Sequence, residues 1–263
     1  MARTLDGKCA LITGSVRGLG LAAAQRLADA GCNIVLNDIV DAHEVDAIRS
    51  DIERAHGVRT LYCKADLRRP MEIETMIATA GDVMGRVDIV VNNAVVRHTA
   101  PVEAFGTSEW DDGIAVNVSA AFHTIRLAVP GMKKRRWGRI INVSSIYGLR
   151  GAPNRVNYVT SKTALIGMTR AIALETVGHG ITCNAVCPGT TESPVHDETI
   201  RGTMANEGLT RAEAERRFLR GKQPTDRFIT AEDVAALMLF LCGPDARDVT
   251  GAVLPIDGGW SSS

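Results

Sequence analysis

Two side chains four residues apart, Tyr158 and Lys162, hold the strongest chemical signal in this chain. On a helix, positions i and i+4 share one face, so a phenol and an ammonium project side by side. A free tyrosine keeps its proton until about pH 10. A neighbouring cation favours the phenolate and brings the group towards neutrality, where it can act as general acid or base. Many helices carry such a pair as surface decoration. Other features of the chain single this one out.

The first is a glycine turn, Thr13-Gly14-Ser15-Val16-Arg17-Gly18-Leu19-Gly20, between a strand-like run and a helical one. Glycines permit tight turning and close approach of a pyrophosphate, and a helix N-terminus offers unpaired N–H groups. Gly14, Ser15, Arg17, Gly18, Leu19 and Gly20 therefore read as a dinucleotide cradle with GxxxGxG spacing. Asp38 ends the second strand-like run; a carboxylate there can bond ribose hydroxyls and repel a 2′-phosphate. Arg17 could hold such a phosphate. Asp38 is followed by Ile39, and no second basic residue supports Arg17. On this charge argument NAD is expected, with NADP the less favoured cofactor.

These groups need elements to position them. Short, near-continuous apolar runs at 9–13, 33–37, 59–63, 87–92, 139–143, 181–186 and 252–255 predict strands buried on both faces. Helical periods fall between them at 19–30, 42–55, 71–84, 119–134, 158–177 and 231–241. The alternation predicts one α/β domain over 1–263: a doubly wound, parallel, seven-stranded sheet with helices on both faces. Residues 190–224 interrupt it without a strand, although 210–219 could be helical, and predict a substrate lid.

Composition excludes several classes. Thirty basic and thirty acidic side chains give zero formal charge, which argues against nucleic acid or an anionic membrane as partner. The longest apolar run, 234–242, has nine residues, well short of the roughly 18 that read as a membrane span. Residues 1–7 lack the apolar core of a signal peptide, so a cytoplasmic location is expected. The six cysteines make no CxxC pair and read as buried, reduced thiols. No histidine pattern suggests a metal site, so none is expected. Lys133-Lys134-Arg135-Arg136 reads as a solvated helix end. His98 reads as a locally satisfied loop histidine, and Met71, Met76 and Met84 as a core stripe.

Asp66-Leu67, Asn92-Asn93-Ala94, Asn117, Ser145 thirteen residues before Tyr158, Lys162 and Pro188-Gly189 complete an ordered set with the glycine turn. With that set the chain resembles the short-chain dehydrogenase/reductase family over nearly its whole length. The resemblance implies a Rossmann-type fold, and Tyr158 as acid or base with Lys162 lowering its pKa and holding the nicotinamide ribose. It also implies that Ser145 bonds the substrate oxygen and that Asn117 holds a proton-relaying water. Asp66, Leu67, Asn93 and Thr191 would contact the cofactor. A homotetramer is implied as well, with the stretch 164–168 packing on a symmetry mate. Val95 stands where the family has glycine, which predicts a crowded backbone where the chain nears the cofactor.

Within the family, His98-Thr99-Ala100-Pro101, the stretch 180–185, Lys222-Gln223-Pro224 and Asp257-Gly258-Gly259-Trp260 resemble the D-3-hydroxybutyrate dehydrogenase branch. The positions that hold the small carboxylate in that branch differ here: Arg97 for a glutamine, Arg155 for a lysine, Tyr147 for a histidine and Thr199 for a second glutamine. Thr190 stands for a tryptophan. Arg97, Tyr147 and Arg155, with Ser145 and Tyr158, are the substrate-site candidates, and two arginines suit an anionic substrate. The leading expectation is an NAD-linked enzyme interconverting a secondary alcohol and a ketone on a small, anionic, hydroxy-acid-like molecule. The alternatives are an NADPH-dependent 3-oxoacyl thioester reductase and, in another class, a non-catalytic dinucleotide-binding sensor.

Overall fold

The apolar runs form strands stacked side by side, and the helical periods cover them. The computed structural model describes residues 3–263, the side chains of residues 194 and 195 excepted. The strands are β1 (Cys9–Thr13), β2 (Asn33–Asp38), β3 (Thr60–Lys64), β4 (Ile89–Asn92), β5 (Gly138–Val143), β6 (Ile181–Pro188) and β7 (Val253–Ile256). All pair in parallel in the order β3-β2-β1-β4-β5-β6-β7. The helices are α1 (Gly18–Asp29), α2 (Ala42–His56), α3 (Pro70–Met84), α4 (Thr107–Ile114), α5 (Ala120–Arg135), α6 (Val156–Thr176), α7 (Pro194–Glu207), α8 (Arg211–Leu219) and α9 (Ala231–Cys242).

Side chains alternate across the sheet, so each strand feeds two cores. Ala10 and Ile12 of β1 pack with Leu27 of α1, Ile52 of α2 and Met238 of α9. Cys9 and Leu11 pack on the other face with Met76 of α3 and Ile125 and Met132 of α5. Each fully buried Leu or Ile contributes about 1.5–3 kcal/mol. The result is the expected seven-stranded Rossmann-type sandwich. The strand order reverses between β1 and β4, and ligands of such sheets bind beyond the carboxyl ends at that reversal.

Several expectations change. The helix foreseen at 119–134 is extended on its N-terminal side by α4 and a π-helical stretch, Ala115–Ser119. The polar sequence of α4 hides it, and packing supplies what periodicity lacks. Asn157 Nδ2 donates to Trp110 O at 2.8 Å, and a Cβ at Gly113 would lie 1.9 Å from Asn157 Oδ1. The segment 190–224 holds two helices rather than one, α7 preceding the foreseen α8. Met71 is 72% exposed, because it follows Pro70 on the outer side of the first turn of α3; Met76 and Met84 do lie in the core.

The basic run is only partly a solvated helix end. Arg136 is exposed and closes α5 in the left-handed region, φ 52°. Arg135 instead turns inward, its Nε donating to Asp88 Oδ1 at 3.0 Å. His98 is not locally satisfied, since its Nε2 is buried without a hydrogen-bond partner among the described residues. All six cysteines are buried and unpaired, and burial pushes the Cys9, Cys183 and Cys242 thiols up to about 12. Among the described residues no helix is long and apolar enough to cross a membrane.

Candidate active site

A cleft of about 640 Å³ opens at the carboxyl ends of β1 and β4. Its floor is the glycine turn. Gly14 has φ +61°, and a Cβ there would meet Ala94 Cα at 2.9 Å; at Gly20 a Cβ would lie 2.2 Å from Gly14 O. Neither position has room for a side chain. Asn93 Nδ2 donates to the Thr13 and Gly14 carbonyls, both at 2.9 Å, and fastens the turn to the β4 loop. Ser15 is fully buried, and its Oγ accepts from Asn37 N at 3.0 Å. Its side chain therefore anchors the turn to β2, outside the cleft lining.

Gly14, Arg17, Gly18, Leu19, Gly20, Asp38, Asp66, Leu67, Asn93 and Thr191 line the cleft. At the far end from Tyr158 stand Asp38 and Asp66. Asp38 Oδ1 accepts from Ile39 N at 2.8 Å. The Asp66 carboxyl lies below its usual range, chiefly through its hydrogen bonds with Arg68. Arg68, which sequence reasoning missed, also lines the cleft and is shared between Asp66 and Asp112. Val95 lines the opening at 37% exposure and is not among the residues of positive φ. The backbone strain expected of a valine there is absent, because the loop leaves the strand in an ordinary conformation.

The other end of the cleft is Tyr158, on α6, with Ser145 after β5 and Lys162 one helical turn on. Ser145 caps a short 3-10 turn, Ile146–Gly148, its Oγ accepting from Tyr147 N at 3.2 Å. Tyr158 and Lys162 are buried. Lys162 Nζ donates to Val143 O at 2.7 Å and lies 5.7 Å from the Tyr158 ring centroid. Arg97 reaches the same ring from the β4 loop, its Cζ 5.3 Å from the centroid. Burial alone would raise the phenol's pKa. The charges of Lys162 and Arg97 and hydrogen bonds from Ser145 and Arg97 outweigh it, and the net direction is down. Burial, opposed by Tyr158 and aided by Arg97, lowers the Lys162 pKa.

Asn117 lies in the π-helical stretch, outside the cleft lining. Its Oδ1 accepts from Val96 N at 2.9 Å, and its Nδ2 donates to Val96 O at 3.0 Å and Ser161 Oγ at 3.2 Å. It thus clamps the residue next to Arg97 against α6. Irregular helix of this kind is frequent at functional sites. Tyr147 and Arg155 are also outside the lining, yet close by. The Tyr147 ring is 6.2 Å from that of Tyr158 and 5.5 Å from Trp260, with Arg155 Cζ 5.5 Å from its centroid. Arg150 fixes Trp260 by donating to its carbonyl.

The segment 190–224 adjoins the cleft, which Thr191, Glu192 and Ser193 line. Gln223 ties its exit to its entrance, accepting from Thr190 N and donating to Arg227 O. His196 of α7 donates from Nδ1 to Thr191 O at 2.8 Å, since a carbonyl can only accept. Its ring packs on Phe218 and Phe228, at 5.1 and 6.1 Å. An adjoining chamber of about 360 Å³ lies between His196, Ile200, Arg211 and Phe228. The signal for this group was the apolar spacing of the lid, too sparse in sequence to assign a face.

A profile of the family described as short chain dehydrogenase matches residues 8–203. The chain is 43% identical to the D-beta-hydroxybutyrate dehydrogenase of Cupriavidus necator, over 97% of this chain and 98% of that one. It is 42% identical to the D-beta-hydroxybutyrate dehydrogenase of Rhizobium meliloti, over 97% and 99%. A 3-oxoacyl-(acyl-carrier-protein) reductase of Thermotoga maritima is 34% identical over 97% and 98%. With the parallel sheet, the glycine turn and the Ser–Tyr–Lys end of the cleft, these matches establish that the chain belongs to the short-chain dehydrogenase family, an oxidoreductase acting on CH–OH groups.

Proposed function

We propose that the protein interconverts a secondary alcohol and a ketone on a small anionic hydroxy acid, using NAD. The observation that carries this reading is Tyr158, buried between two cations and bonded to Ser145, at one end of a cleft whose other end is Asp38. The cradle suits a dinucleotide because Gly14 and Gly20 let the turn close tightly on Ala94 and on itself, while beside Gly18 a Cβ would meet nothing within 4 Å. A bound nicotinamide dinucleotide supplies the hydride acceptor for alcohol oxidation. Gly14, Gly18 and Leu19 would hold its phosphates, and Asp66, Leu67, Asn93 and Thr191 would flank the rest.

In oxidation, the Tyr158 phenolate takes the hydroxyl proton while Ser145 bonds the same oxygen; in reduction Tyr158 returns it. Lys162 and Arg97 hold the phenolate charge, and Asn117 keeps the Arg97 loop against α6. Arg97, Tyr147 and Arg155 bind the substrate's anionic end, as fits likeness to D-beta-hydroxybutyrate dehydrogenases. A cytoplasmic homotetramer belongs to the same reading; within the stretch 164–168 Leu165 and Ile166 are buried in the chain's own core, so the candidate contacts move to Leu174 and Val177, exposed at 80% and 56% near the end of α6.

Asp38 carries the choice of cofactor. Its carboxylate would bond the ribose hydroxyls of NAD and repel a 2′-phosphate. Arg17 and Arg68 line the same cleft, and Arg68 is held by Asp66 and Asp112. In Asp38→Ala the ratio of kcat/KM for NAD over NADP falls at least about tenfold, read from initial rates with each cofactor. Saturation of the unaltered enzyme by NADPH at far lower concentration than NADH would instead favour the 3-oxoacyl thioester reductase. The test of the reaction itself is a screen of NAD reduction over hydroxy acids, hydroxysulfonates, polyols and aromatic alcohols. Turnover confined to uncharged alcohols would overturn the anionic substrate.

A further inference from the structure

Three cations gather beyond Tyr158 with no carboxylate to answer them. Arg97 stacks on the Tyr158 ring and Arg155 on the Tyr147 ring. Lys222, at the lid's exit, sits 3.8 Å above the Phe218 ring. That ring abuts His196, whose imidazole feels the charges of Arg97, Lys222 and Arg155 together. Arg97 and Arg155 thus flank the adjoining Tyr158 and Tyr147 rings, and Lys222 stands on the Phe218–His196 stack of the segment that follows β6; of the three, Arg97 lines the cleft itself. Among the described residues, none of the three makes an ion pair. By contrast Arg201, Arg211 and Arg217 of the same lid all carry carboxylate partners.

The acids nearby do not balance this charge. Asp257 is buried, and its carboxylate is occupied by Gly259 N and Ser261 N. Glu192 lines the cleft but is exposed. Counting Glu192 against the three cations still leaves two positive charges, apart from Lys162. Like charges held at close range without a counter-ion are costly, and an entering anion relieves that cost. Burial, then the charge of Arg155, lowers the Lys222 pKa, as such crowding requires. Cation–ring stacking fixes the guanidinium groups before any ligand arrives, so little side-chain freedom is lost on binding.

We infer that the substrate is a hydroxy-dicarboxylate, its two carboxylates gripped by Arg97, Arg155 and Lys222 on either side of the Tyr147–Tyr158 pair. Arg97 and Arg155 sit on different rings, which meet edge to face, so each ring presents its own cation and each cation suits its own carboxylate. This rests on the reading of Tyr158 as the acid or base for a carbinol, and it narrows the substrate class.

The test is NAD reduction with 3-hydroxyglutarate, which is achiral, and with racemic monomethyl 3-hydroxyglutarate, 3-hydroxybutyrate and 3-hydroxybutyl phosphate. The dicarboxylate should exceed both monoanions in kcat/KM by at least about thirtyfold, the scale of one charge-assisted contact or more. The ratio of dicarboxylate to monoester should fall about tenfold in Arg155→Gln and again in Lys222→Gln. Equal values for dicarboxylate and monoester overturn the inference and leave the alcohol–ketone reaction standing. A phosphate ester that outperforms the dicarboxylate overturns it in favour of a single doubly charged head. If no compound is oxidised, melting of the NADH complex is followed with glutarate and its monomethyl ester. A rise with glutarate alone supports the site while the reaction reading fails; no rise with either overturns the site as well.

Discussion

A Tyr158→Phe enzyme should turn over at least about a hundredfold more slowly, with kcat and kcat/KM falling together. The ring remains, so its edge contact with Tyr147 and its place under Arg97 persist; only the hydroxyl proposed to move the proton is lost. General acid–base catalysis by a placed group is worth about a hundredfold to ten-thousandfold. Because the interaction is made only as the proton moves, the loss should not appear as a rise in KM alone. Binding of NADH, followed by its fluorescence, separates this from a damaged fold. Intact turnover on a true substrate would remove Tyr158 from the reaction.

The pH profile carries a second reading of the same residue. Arg97 favours the phenolate, so removing its charge moves the Tyr158 pKa up. In oxidation the phenolate is the active form, and the rate rises as pH rises through that pKa. In Arg97→Gln this rise should shift to higher pH. In reduction the phenol is active, and the fall at high pH should shift the same way. A profile that keeps its position while KM for substrate rises would make Arg97 a substrate anchor alone.

What could be read in the sequence was whatever lies within one element or one turn. Gly14 to Gly20 share a turn, and Tyr158 and Lys162 share a helix face, so spacing alone carries their geometry. The strands were legible because β1, β4, β5 and β6 are buried on both faces and admit few polar side chains. Arg97 over Tyr158 could not be read in this way, since the contact depends on how the β4 loop meets α6. That meeting is set by Asn117, whose side chain holds both backbone groups of Val96. The lid was harder still. α7 lacks a strong apolar stripe, and its placement follows from His196, Phe218 and Phe228 finding one another across three segments.

Asp88 tests how much of the frame rests on one buried charge. It immediately precedes β4 and has no solvent exposure, accepting from Cys9 N at 3.0 Å, from Arg86 Nη2 at 2.9 Å and from Arg135 Nε at 3.0 Å. These bonds tie β1, the turn before β4 and the end of α5 to one carboxylate. In Asp88→Ala both half-buried guanidinium groups lose their partner and a buried N–H is left without an acceptor. Breaking a buried pair from one side costs about 3–5 kcal/mol, or roughly 10 °C in melting temperature for a domain of this size. Arg126 and Glu74 supply the control. They pair at 2.9 Å but are both more than 40% exposed, so Glu74→Ala should cost less than about 1 kcal/mol. Urea unfolding of both variants at one protein concentration reads the difference. Equal midpoints would mean that water enters beside Asp88 and replaces the carboxylate. A large gap would mean that the amino ends of β1 and β4, and through them the spacing of the glycine turn from the β4 loop, are held by this side chain.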